Sequence, residues 1–72
     1  METRMELERV WEVLRNLPED DRAAFVMRAE HGLSYEEIAR VLGLSLSSAK
    51  VKVHRVRRRL LTDRIEREGF RP

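Results

Sequence analysis

The sequence predicts an all-α fold, a small four-helix domain with a C-terminal helix-turn-helix. Three observations carry that expectation. Apolar residues recur at spacings of three and four, and apart from the short Ala49–His54 run Val, Ile and Tyr do not alternate with polar residues at the period of a strand. Capping patterns and singly placed glycines and prolines divide the chain into four such segments. The last segment, Ser45 to Leu61, holds six Lys or Arg between Lys50 and Arg59 and no acid, and it follows a short helix across a tight turn.

The first helix is expected to begin at Thr3. Thr3-Arg4-Met5-Glu6 has the form of a capping box, in which each side chain satisfies an orphan backbone donor. Leu7, Val10, Leu14 and Leu17 make its apolar stripe, Trp11 lies on the shoulder, and Pro18 ends it. Proline is tolerated as the first residue of a new helix, and Glu19, Asp20 and Asp21 crowd the next turn, where the helix dipole favours negative charge. The second helix therefore runs from Pro18 to about Ala29, with Gly32 as its C-terminal turn. Its Ala23 to Met27 segment is apolar almost all round, which marks it as the central element, and Trp11 with Phe25 and Met27 is assigned to the core.

Ser34-Tyr35-Glu36-Glu37 is a second capping box, followed by Ile38, Ala39 and Leu42 at helical spacing and stopped by Gly43. Ser45 is placed to cap the fourth helix, leaving Gly43-Leu44-Ser45 as the connection. Small Ala39 suits a close crossing of the two helices, and Leu44 would plug the core between them. Within the fourth helix Ala49, Val53, Val56 and Leu60 recur at the period of one buried face. Advancing about 100° per residue, the opposite strip holds Ser47, Val51, His54, Arg55 and Arg58. Lys50 and Arg57 flank it on one side, Lys52 and Arg59 on the other. A major groove walled by two phosphate backbones asks for that layout, with cations at the edges and base-reading groups between them.

Length and charge set the outer limits. Seventy-two residues form one domain, expected over 1–72 with its core over about 5–62 and a fraying helix end or tail over 63–72. Such a chain buries only about 60% of its unfolded surface, so the core is thin. There is no cysteine, and the two histidines, His31 and His54, stand far apart, so no metal site and no cofactor are expected. The net charge of +2 is split unevenly: residues 1–44 hold six Arg and ten acids, giving −4, and residues 45–72 hold nine Lys or Arg and three acids, giving +6. A polyanion is the natural partner of the second half. No run approaches the roughly 18 apolar residues of a membrane span and the N-terminus lacks the apolar core of a signal peptide, so a cytoplasmic protein is expected. Glu36, Glu37 and the serines are explained by caps and turns, no phosphate-cradling glycine loop is present, and an enzyme is not expected.

Several stretches carry a resemblance. Leu17-Pro18-Glu19, Arg22, Gly32-Leu33-Ser34-Tyr35-Glu36-Glu37-Ile38-Ala39, Leu42-Gly43-Leu44-Ser45, Ala49-Lys50 and His54-Arg55-Val56-Arg57-Arg58-Arg59-Leu60 resemble region four of bacterial sigma factors, the extracytoplasmic-function group in particular, over roughly residues 5–62. The resemblance implies a C-terminal sigma domain whose recognition helix enters the major groove of double-stranded promoter DNA at the minus-35 element. It also implies docking on the flap of the RNA polymerase beta subunit and masking by an anti-sigma factor. The family's base-contacting places fall on Lys50, Val51, His54 and Arg55, with an accessory DNA contact at Arg28. Val51 stands where members often have serine, and Ala49 and Val53 replace bulkier core residues.

Taken together, Arg55 is expected to read a guanine, His54 a base edge or a phosphate, and Val51 a thymine methyl. Lys50, Lys52, Arg57 and Arg59 are expected on phosphates, with Arg58 farther along the helix than the N-terminal residues that usually read bases. His31 is given no specific role. Two other classes stay open: a stand-alone helix-turn-helix regulator that dimerises on a palindrome, and a module whose acidic, apolar N-terminal half binds polymerase or an anti-sigma protein. The sigma reading expects a monomer. Nothing in the 72 residues resembles the region that melts promoters, so the chain is expected to be either an excised domain or a stand-alone descendant.

Overall fold

The computed structural model describes residues 2–68, with side chains from Leu7 to Glu66. Four helices follow one another: α1 Glu2–Arg15, α2 Glu19–Ala29, α3 Tyr35–Leu42 and α4 Leu46–Glu68. α1 begins at Glu2, one residue before the expected start, and the side chains of the proposed Thr3–Glu6 box lie outside the described residues. Pro18 sits one position outside α2, at its N-cap with extended ψ 146°, and the acids Glu19, Asp20 and Asp21 occupy the first turn.

The helix-turn-helix forms as its caps dictate. Ser34 Oγ accepts from the Glu37 N–H at 3.1 Å, and Glu37 Oε1 accepts from the Ser34 N–H at 2.8 Å, so two otherwise orphaned donors are satisfied reciprocally. The backbone N–H of Ser34, followed by its hydroxyl, holds the Glu37 carboxyl below its ordinary value against the opposing effect of desolvation, and the charge of Arg40 adds to the lowering. α3 ends at Gly43, whose φ of 68° lies in the left-handed region where a Cβ would be strained. That conformation turns the chain so that the Leu44 N–H donates back to Ala39 O at 2.8 Å, closing the helix end. Two residues later Ser45 Oγ accepts from the Ser48 N–H at 3.1 Å and starts α4.

Ala24, Ile38, Ala39, Ala49 and Val53 form the buried cluster, with Phe25, Met27, Leu33, Tyr35 and Leu42 packed around it. Alanines from α2, α3 and α4 meet there, so three helices approach closely around one small centre. Val56 and Leu14 extend the core toward α1. α4 packs substantially against all three other helices and α2 chiefly against α3 and α4, so α4 rather than the expected α2 is the central element. The uniform apolarity of Ala23 to Met27 reflects contact on two sides, with α3 and with α4.

Two further expectations for α1 fail. Leu7 is 57% exposed and Trp11 47%, so neither belongs to the core, and half-buried Val13 takes a place on the inner face beside Val10, Leu14 and Leu17. The contacts of α1 are made chiefly with α4, and a single neighbouring helix covers only a narrow stripe of it. Of the fraying helix end or tail expected over 63–72, the described part is helix: α4 continues through Glu68, and Asp63 is half-buried in the groove that Glu12, Val13, Asn16 and Leu17 form with Arg55 and Arg59. Residues 69–72 lie outside the described residues.

Candidate nucleic-acid interface

α4 presents two unlike sides. Ala49, Val53 and Val56 are fully buried and Leu60 is half-buried, so the inward face is the expected one. The outward strip holds Ser47, Val51, His54, Arg55 and Arg58, all exposed, Val51 at 51%. Lys50 and Arg57 are exposed on one flank and Arg59 on the other. No acid occupies the first turn of α4, whereas α2 and α3 both begin with acids. The positive end of its dipole is therefore left to Ser45 and Ser47, whose hydroxyl oxygens lie 3.4 Å apart, and to whatever meets that end from outside.

Two of the expected contact residues are turned to partners inside the chain. Lys52 was expected at a phosphate. Its side chain is only 20% exposed and its Nζ lies 3.2 Å from Asp21 Oδ1, because α2 covers this flank of α4. Arg28 was expected as an accessory contact. Its guanidinium donates to Leu33 O at 2.9 Å and lies 4.6 Å from the centre of the Tyr35 ring, so it braces the turn between α2 and α3. Tyr35 in turn faces His54, with ring centroids 6.5 Å apart and planes tilted by 33°. Arg28, Tyr35 and His54 thus form a continuous line from the end of α2 to the outward strip.

Arg55 belongs to both sides. Its side chain is 58% exposed, yet Nη1 lies 3.4 Å from Asp21 Oδ2. Asp21 is the residue that reading the sequence missed as part of the site, having been explained as a helix-start acid. It is 1% exposed, the one buried charged residue among those described. A signal for it existed: Asp21 stands three residues before Ala24, on the face of α2 that the apolar pattern turns inward. Tyr35 gave no such signal, since it follows a cap serine at a position that is usually solvated. His31 is exposed at the turn.

Residues 7–60 match the family described as Sigma-70, region 4. Over 53 residues the chain is 40% identical to the ECF RNA polymerase sigma-E factor of Haemophilus influenzae, a stretch covering 72% of this chain and 28% of that protein. Over 47 residues it is 45% identical to the ECF RNA polymerase sigma factor SigE of Mycolicibacterium smegmatis, covering 65% of this chain and 18% of that one. The aligned stretch spans less than a third of the length of either relative. Four helices, a capped tight corner and a basic last helix agree with that match, and the chain belongs to the sigma-70 region 4 family.

Proposed function

We propose that the chain binds double-stranded promoter DNA at the minus-35 element, as the region-four domain of an extracytoplasmic-function sigma factor in transcription initiation. The observation that carries this reading is the two-sidedness of α4: Ala49, Val53 and Val56 are sealed in the core while Ser47, Val51, His54, Arg55 and Arg58 are exposed along one strip, flanked by exposed Lys50, with no acid among them. Arg55 donates to guanine O6 and N7, and Val51 packs on a thymine methyl. His54, backed by Tyr35, stands beside the base edges, and Ser47 and the open helix end meet a phosphate. Lys50, Arg57 and Arg59 contact phosphates, with Arg58 at the distal end. Lys52 and Arg28 support this surface from behind. The reading involves no catalysis and places the domain in the cytoplasm, where promoters are.

RNA polymerase and, in regulated systems, an anti-sigma protein are the protein partners this family membership suggests. The face suited to them is the outer side of α1, where Leu7 and Trp11 are exposed next to Glu8 and Glu12. The beta-subunit flap is the proposed polymerase element there. Sedimentation of the 72-residue chain with a duplex selected from a randomised pool tests the DNA reading. A monomer on a non-palindromic site supports it, and a dimer on a symmetric site replaces it with the stand-alone regulator.

A further inference from the structure

We infer that Asp21 is a positioning residue for base readout: its buried carboxylate, neutralised by Lys52, holds the Arg55 guanidinium at one place on the outward strip. The inference rests on the proposed DNA reading and deepens it. One carboxylate meets two cations, Oδ1 at 3.2 Å from Lys52 Nζ and Oδ2 at 3.4 Å from Arg55 Nη1. The two cations differ in exposure, 20% against 58%, and that difference divides their work. Lys52 lies at the helix junction and supplies the counter-charge that a carboxylate at 1% exposure requires. Arg55 lies at the rim. One nitrogen of its planar fork points back to Asp21, which leaves the remaining donors to face outward as a bidentate pair. The triad sums to one positive charge, so the acid does not cancel the attraction of Arg55 for DNA.

Pre-ordering matters for this residue type. Arginine has among the largest rotamer freedoms of any side chain, and a free one must be ordered when it reads a base. Asp21 makes that ordering part of folding. It also couples α2 to the reading helix, so a shift between the two helices displaces the reading group directly.

The test uses the 72-residue chain, fluorescence anisotropy, and the duplex that the unaltered domain selects from a randomised pool, compared with its scrambled counterpart. Asp21→Asn should lower the ratio of selected to scrambled affinity by about three- to tenfold, the range that freeing one long side chain implies. Affinity for the scrambled duplex should hold or rise, because an acid has been removed. Loss of folding alone would weaken both duplexes together. In an Arg55→Ala background, Asp21→Asn should leave the ratio unchanged. Should the single variant fold poorly, Asp21→Asn with Lys52→Met removes both charges of the inner pair and should show the same fall in ratio. A ratio within twofold of the unaltered domain, or an equal fall in the Arg55→Ala background, overturns the inference. An unaltered domain that discriminates between no duplexes overturns the DNA reading itself. The Arg55 guanidinium resonances separate the two failures, since the Nη1 contact with Asp21 is lost and they should shift in Asp21→Asn whether or not DNA is read.

Discussion

The two helices of the helix-turn-helix begin alike and end up with opposite relations to their surroundings. Both start at a serine whose hydroxyl accepts a backbone N–H three residues on. In α3 the first turn continues with Glu36 and Glu37, Glu37 closes the box, and Gly43 closes the far end, so the polar ends of the helix are satisfied within the chain. In α4 the first turn carries no acid, and beyond it cations follow one another to Arg59. A helix finished by its own residues serves as support. One that leaves its positive end and its outer strip unmatched is completed by something negative from outside.

The largest effect expected on this contrast comes from the inward side of α4. Val53 is fully buried against alanines of three helices, and Val53→Asp places a carboxylate there with no cation at hand. The penalty for an unpaired buried charge exceeds the roughly 5 kcal/mol that holds a small domain together. Circular dichroism at 25 °C should show an unfolded chain, and an unchanged melting curve would mean that the valines do not anchor α4. Next in size is Arg55→Ala, expected to weaken binding to the selected duplex by about 1–3 kcal/mol and to relax one base position. Equal losses on scrambled DNA would reduce Arg55 to a phosphate contact.

A finer division runs along the cations of α4 itself. Lys50→Ala should leave folding intact and lower the slope of log affinity against log salt by about one, as expected for one phosphate contact. Lys52→Met should act mainly on stability. Breaking a fully buried ion pair costs about 3–5 kcal/mol, but Lys52 is partly exposed and Arg55 still faces Asp21, so about 1–2 kcal/mol is expected in urea denaturation. A full unit of salt slope lost from Lys52→Met, with stability unchanged, would put Lys52 on the phosphate backbone after all.

These residues also show how far sequence reading reaches. The corner was legible because its determinants are local: Ser34 and Glu37 are three apart, Gly43 and Ser45 two apart, and each fixes a hydrogen bond within a turn. The inward face of α4 was legible because Ala49, Val53 and Val56 repeat at the helical period. The ion pair of Lys52 with Asp21 was not legible, because the flank Lys52 occupies is decided by where α2 crosses, and no spacing inside α4 records that crossing. Trp11 was misplaced for a related reason. A bulky aromatic beside an apolar stripe suggests burial, but the partner that would cover it is absent from the contacts α1 makes with α4. Periodicity locates a face; only the packing of other helices decides how wide it is.

The smallest effect concerns the self-contained helix. Ser34→Ala should cost about 1 kcal/mol, the usual value of a lost N-cap. Its partner gives a pH signature that α4, capped by Ser45 without an acid, lacks. The Ser34 N–H and hydroxyl hold the Glu37 carboxyl below its ordinary value in the folded domain. A lowered folded value means that the ionised form is favoured by folding. Its stabilising effect is therefore present above the unfolded glutamate range and disappears as pH falls through the folded value. Glu37→Gln keeps an acceptor at the same position but cannot titrate. The unaltered domain should accordingly be the more stable of the two at neutral pH, and the gap should close on acidification from the ordinary glutamate range down through the lowered folded value. If the gap stayed constant across that interval, the charge of Glu37 would contribute nothing to the box, and α3 would rest on hydrogen bonds of the same kind as the start of α4.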